Sequence, residues 1–101
     1  MDDQTLIALK ASIKKWEKNA KIENLENARF SPRSCPLCTL FLKKDCFGCP
    51  VRNKTGIGFC YKTPYLSSNR AFSLNDLFAF KTAALEEVTF LKSLLPNEAK
   101  P

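Results

Sequence analysis

Five cysteines and no histidine constrain this 101-residue chain more than any other feature. The cysteines fall as Cys35-Pro-Leu-Cys38, then, after seven intervening residues, Cys46-Phe-Gly-Cys49-Pro50, and Cys60 follows after ten more. A Cys-x-x-Cys turn places two sulfurs on one side of a tight backbone loop. Two such turns meeting face to face supply the tetrahedral four-sulfur shell that zinc prefers, with Zn–S near ~2.3 Å. Pro36 stiffens the first turn, and Gly48 gives the second the backbone freedom it needs. The expected cofactor is therefore one structural zinc ion held by four of the five thiols. The first choice of ligands is Cys35, Cys38, Cys46 and Cys49; a second set drops Cys46 or Cys49 and recruits Cys60. Asp45, inside the loop between the turns, is an alternative oxygen ligand, but it reads more simply as a solvated turn residue.

Competing uses of the thiols fit less well. An odd count suits no closed disulfide framework. Iron–sulfur clusters also use Cys-x-x-Cys, and Cys49-Pro50 matches the ferredoxin ending, but the remaining spacing does not. A redox pair calls for a Cys-x-x-Cys that opens a helix, and the proline after Cys49 argues against one. Abundant thiols and no imidazole point to a closed site rather than a catalytic one with an open position. The absence of histidine also removes the commonest general base. The expectation is a protein without catalytic residues, not an enzyme.

The chain is 45% hydrophobic with eight phenylalanines. It can bury a small core, and a domain of this size gains from a metal staple. Periodicity places a helix on each side of the cysteines. Leu6, Leu9, Ile13, Trp16 and Ala20 recur at spacings of three and four, the mark of one helix face. Trp16 on that stripe reads as core, and Lys10, Lys14, Lys18 and Lys21 as a solvated face. Glu17 stands four residues before Lys21, a favourable helical pair. After Asn19 the stripe drifts to Ile22 and Leu25, and Asn24 and Asn27 weaken the helix. At the other end, Ser73 and Asp76 resemble a capping box. Leu74, Leu77, Phe78, Ala84, Leu85, Val88, Leu91 and Leu95 follow with helical period, and Pro96 ends the pattern.

The expected architecture is a single domain over 1–101, mainly α with a small irregular zinc-binding region (a small α+β fold). An N-terminal helix lies within 1–29, a metal-binding loop region spans 30–72, and a C-terminal helix spans 73–96. Each helix would run about 22 residues, or roughly 33 Å, and the two would pack as a long antiparallel pair flanking a zinc-knuckle loop. A short hairpin is expected around Ile57–Tyr61.

Charge is uneven. The net charge is +6, and residues 35–72 hold six basic side chains against one acidic. Lys43, Lys44, Arg52, Lys54 and Lys62 can offset the net −2 of a zinc bound by four thiolates. The same cations, with Arg70 and the rings of Phe47, Tyr61 and Tyr65, form the candidate partner-binding surface. Phe59 shares the pattern of rings between cations. Such a mixture also suits bases stacked beside phosphates, so a nucleic-acid-binding zinc module is the alternative. The bland reading is that the rings cover the metal site and the helix ends. Thr55-Gly-Ile-Gly is no phosphate loop, lacking the Gly-Lys-Ser/Thr ending. The acidic start, MDDQTLIALK, lacks the basic region of a signal peptide, and no stretch approaches the ~20 apolar residues of a membrane span. The expected compartment is a reducing cytoplasm, where clustered cysteines favour metal over disulfides.

Ser12-Ile-Lys-Lys-Trp16, Cys-Pro-Leu-Cys, Cys-Phe-Gly-Cys-Pro-Val, Thr-Gly, and Cys60 followed by Thr63-Pro64-Tyr65 occur in that order. The string resembles small cysteine-rich accessory proteins of bacteriophages and prophages, over most of Ser12 to Tyr65. The resemblance implies work in the bacterial cytoplasm, modulating a host protein or blocking a host defence system. The basic charge is wrong for mimicry of DNA, which leaves a direct protein-binding inhibitor or a nucleic-acid-associated factor.

Overall fold

Asp2 starts the first helix by accepting a hydrogen bond from the Thr5 N–H at 2.7 Å. That bond holds the Asp2 carboxyl below its ordinary range, as expected where a carboxylate meets free N–H groups. The protein is seen here in a computed structural model that describes residues 1–29, 35–41, 46–56 and 63–96. Helix α1 runs Asp3–Asn19 and buries Leu9, Ile13 and Trp16, the stripe read from the sequence. It stops near 19, short of the expected span over 1–29, and a single 3-10 turn follows at Leu25–Asn27. Asn24 caps that turn, accepting from the Glu26 N–H at 3.0 Å.

The stop is fixed by Asn19, which is only 1% exposed. Its amide donates to the Arg29 carbonyl at 2.8 Å and accepts from the Arg29 N–H at 2.9 Å. The side chain thus takes the place of a backbone partner and straps the outgoing chain to the helix end. Buried polar groups need such partners.

Three further helices occupy stretches expected to be irregular. They are α2 (Pro36–Phe41), α3 (Pro50–Thr55) and α4 (Pro64–Ser73). Each begins with proline, whose fixed φ and missing N–H suit the first helical position. For α4, Thr63 completes the start by accepting from the Tyr65 N–H at 3.1 Å. Prolines read as loop markers are here helix starters. Among the described residues there is no strand, and the hairpin expected at 57–61 lies outside them. The α+β expectation reduces to a mainly helical fold.

The last helix, α5 (Leu77–Lys92), differs from the expected 73–96 in start and in phase. Ser73 ends α4, Asn75 turns the chain with φ +57°, and Asp76 is itself the cap, accepting from the Ala79 N–H at 3.0 Å. The buried face is then Phe80, Ala83, Ala84, Glu87, Val88 and Leu91. Leu74, Phe78 and Leu85, expected in the core, are exposed. The cause is composition: α5 is apolar nearly all round, so period alone leaves its inward face ambiguous.

Helix α4 packs most extensively on α5, through buried Ser68 and Ala71. Small side chains permit that close approach. Helix α1 meets α5 through the Trp16 and Phe80 rings, 6.3 Å apart, and Trp16 also meets Tyr65 of α4 edge-on at 6.2 Å. Glu17 reaches Lys92 at 3.9 Å, a partner its spacing from Lys21 did not anticipate. Trp16 and Glu17 are adjacent, yet their partners lie twelve residues apart, about 18 Å along α5. Side chains thus tie the end of α1 to two well-separated points of α5.

Candidate metal centre

The first cysteine turn is the opening of α2. Cys35 stands before Pro36, and its carbonyl accepts from the Thr39 N–H at 3.1 Å. Cys38 follows within the first turn and donates a hydrogen bond to the Cys35 sulfur. That bond, the Lys15 ammonium and the N–H groups of Cys38 and Leu37 hold the Cys35 thiol down at about 5, against the upward push of burial. An N–H cluster beside a cation is the environment that favours thiolate.

The second turn repeats the scheme. The Cys49 N–H donates to the Cys46 carbonyl at 3.0 Å, and Cys46 itself bonds back to the Phe41 carbonyl at 2.9 Å. Cys46 adopts φ +67° and Gly48 φ +88°. A Cβ on Gly48 would stand 3.1 Å from Phe41 Cε1, so glycine is needed for both conformation and space. Cys49 takes the N-cap position of α3, with Pro50 next. Its sulfur closes no capping hydrogen bond, yet the Val51 and Arg52 N–H groups still favour its charged form. Burial dominates and pushes the Cys49 thiol up, and Cys46 and Cys35 push it further the same way.

Both turns are therefore Cys-Pro helix starts, and the proline that argued against a helix after Cys49 is what begins one. Cys35 and Cys46 both act on Cys49, so the two turns lie within electrostatic reach of one another. Cys46 and Cys49 are buried, and Cys35 and Cys38 half-buried. The arrangement is one of pairs: among the described residues no three Cys, Asp or Glu side chains come close enough together to hold a metal ion. Cys60 and Asp45 lie outside the described residues.

Of the candidate partner-binding residues, Phe47 is 62% exposed beside the second turn, with the Arg52 guanidinium stacked over its ring at 4.0 Å. Lys54 is exposed on α3 and Arg70 on α4. Tyr65 is half-buried against Trp16, with the core rather than with Phe47. Lys43, Lys44, Tyr61 and Lys62 lie outside the described residues.

One group escaped sequence reasoning. Glu87 is buried on α5, 3.4 Å from the Thr63 hydroxyl that caps α4. Burial pushes its carboxyl up to about 7; the Thr63 hydroxyl, Lys15 and the Tyr65 N–H oppose that, and Cys35 adds to it. The available signals were a carboxylate inside an apolar helical run and the Thr63-Pro64 cap. Among the described residues no helix is long and apolar enough to cross a membrane. No protein-family model, curated protein or solved structure matches the chain.

Proposed function

We propose that the chain is a non-enzymatic interaction module, stapled by one structural zinc ion, that binds a bacterial protein and modulates it. The observation that supports this reading is the pair of Cys-Pro turns, with the Cys49 sulfur in the field of both Cys46 and Cys35. Cys35, Cys38, Cys46 and Cys49 would hold the ion, with Cys60 as the substitute. Zinc bound by four thiolates supplies folding energy rather than chemistry. It would fix the turn that displays Phe47, Arg52 and Lys54. An exposed ring beside a guanidinium is a common anchor at protein interfaces. The resemblance to phage accessory proteins implies a partner in the bacterial cytoplasm, a host protein or a defence component.

Elemental analysis of purified protein, with free thiols counted before and after chelation, tests the staple. One zinc per chain with one reactive thiol supports it; no metal and five reactive thiols would overturn it. Co-purification from bacterial lysate after nuclease treatment tests the partner, with Phe47→Ala and Arg52→Ala expected to weaken capture. The stacked Phe47–Arg52 pair also suits the alternative, a nucleic-acid-binding zinc module. That alternative requires binding that weakens steeply with salt, and no gel shift at low salt would end it.

A further inference from the structure

The two thiols of the first turn touch each other, and those of the second are set apart from solvent. Cys38 hydrogen-bonds to the Cys35 sulfur. Residues three apart in a helical turn have Cα atoms about 5 Å apart, inside the roughly 4.4–6.8 Å that a disulfide spans. Both thiols are half-buried, whereas Cys46 and Cys49 are buried. Cys35 also lines an open groove of about 540 Å³ between α1 and α2, walled by Ile7, Ala8, Ala11, Pro36 and Leu40. One residue of the preformed pair thus borders an open, mostly apolar groove.

We propose that Cys35 and Cys38 are a thiol–disulfide exchange site, with small disulfides reaching Cys35 through this groove as its substrates. The Cys35 thiolate attacks one sulfur of a disulfide RSSR, forming the Cys35–SR bond and releasing RS⁻. Cys38 gives its proton to that RS⁻, and its sulfur attacks Cys35, breaking the Cys35–SR bond and releasing the second RS⁻, which takes a proton from water. The two thiols are oxidised to one intramolecular disulfide, and the reagent is reduced to two thiols, as exchange through a mixed disulfide requires. The reaction belongs to the metal-free chain and goes beyond the zinc reading. Where an ion is held, the same sulfurs serve it, so oxidation and metal binding exclude each other.

Oxidised glutathione is the probe. Protein stripped of metal and reduced, then freed of reductant, is incubated with it and mapped by mass spectrometry. The expected product is a Cys35–Cys38 disulfide that dithiothreitol reverses. Cys38→Ser is expected to trap glutathione on Cys35, and Ala11→Trp, which fills the groove, to slow that trapping several-fold. Lys92→Ala, on the distant end of α5, leaves the reaction unchanged. Absence of the disulfide, or faster capture at Cys46, Cys49 or Cys60, overturns the proposal. If circular dichroism shows Cys38→Ser unfolded, the map of the unmutated protein decides alone. Because the metal is removed first, the result is separate from the elemental analysis that decides the staple.

Discussion

Asn19 and Arg29 exchange two hydrogen bonds, side-chain amide to backbone, of 2.8 and 2.9 Å. The pair ends α1 and ties Arg29 back to the helix end. Replacing Asn19 by Ala leaves both Arg29 groups without this partner in a site where the amide was buried. The expected loss is about 2 kcal/mol, read as a lower urea midpoint at unchanged slope. Asn19→Asp, which keeps the acceptor and loses the donor, should also destabilise.

Phe78 and Phe80 are two residues apart and 83% and 0% exposed. Phe80→Ala should cost about 3–5 kcal/mol by leaving a cavity under Trp16. Phe78→Ala should change stability by no more than about 0.5 kcal/mol. Equal losses at the two sites would mean that α5 turns a different face inward.

Glu87 gives stability a pH dependence. Its carboxyl titrates at about 7 in the folded chain against an ordinary 4.5, so folding favours its protonated form. That stability is fully present below about pH 4.5 and is lost as pH rises through 7, a change of order 3 kcal/mol. Glu87→Gln should flatten thermal stability across that window and raise it at pH 8. Lys15 and Cys35 act on Glu87 with opposite sign, and neither is removed by the substitution.

Ser12 is buried, and its hydroxyl finds no hydrogen-bond partner among the described residues. Ser12→Ala removes the unpaired group at little cost in volume. A gain of up to about 1 kcal/mol is expected. A clear loss in chemical denaturation would show that the hydroxyl has a partner after all.

Gly48 and Gly56 both sit at positive φ, but only Gly48 has a neighbour, Phe41, against its missing Cβ. Gly56→Ala should cost about 1 kcal/mol for the left-handed backbone. Gly48→Ala should cost more, because the Phe41 ring must also shift. If the two melt alike, the second turn is looser than its contacts imply.

Much of α1 was legible because its apolar residues are sparse enough to define one face. Leu9, Ile13 and Trp16 have no competing stripe. The phase of α5 was hidden by the opposite condition: Leu74, Phe78 and Leu85 are as apolar as the residues that win burial. Only the cap at Asp76 sets the register, and Ser73 offered an equally acceptable cap three residues earlier. The starts at Pro36, Pro50 and Pro64 were misread because proline closes a helix from inside yet suits its first position. The grouping of the cysteines into two turns was plain from spacing. Their pairwise arrangement depends on which sulfur accepts which N–H, and spacing does not encode that.

Trp16 is the chain's single tryptophan, and its ring touches Tyr65 of α4 and Phe80 of α5 while the Lys15 ammonium lies over it at 5.0 Å. The molecule therefore carries an intrinsic fluorophore where three of its helices meet. Displacement of either neighbour should shift its emission toward that of a wetted indole, so one optical signal registers both packing interfaces. Lys15, over that ring, also favours the charged forms of Cys35 and Glu87.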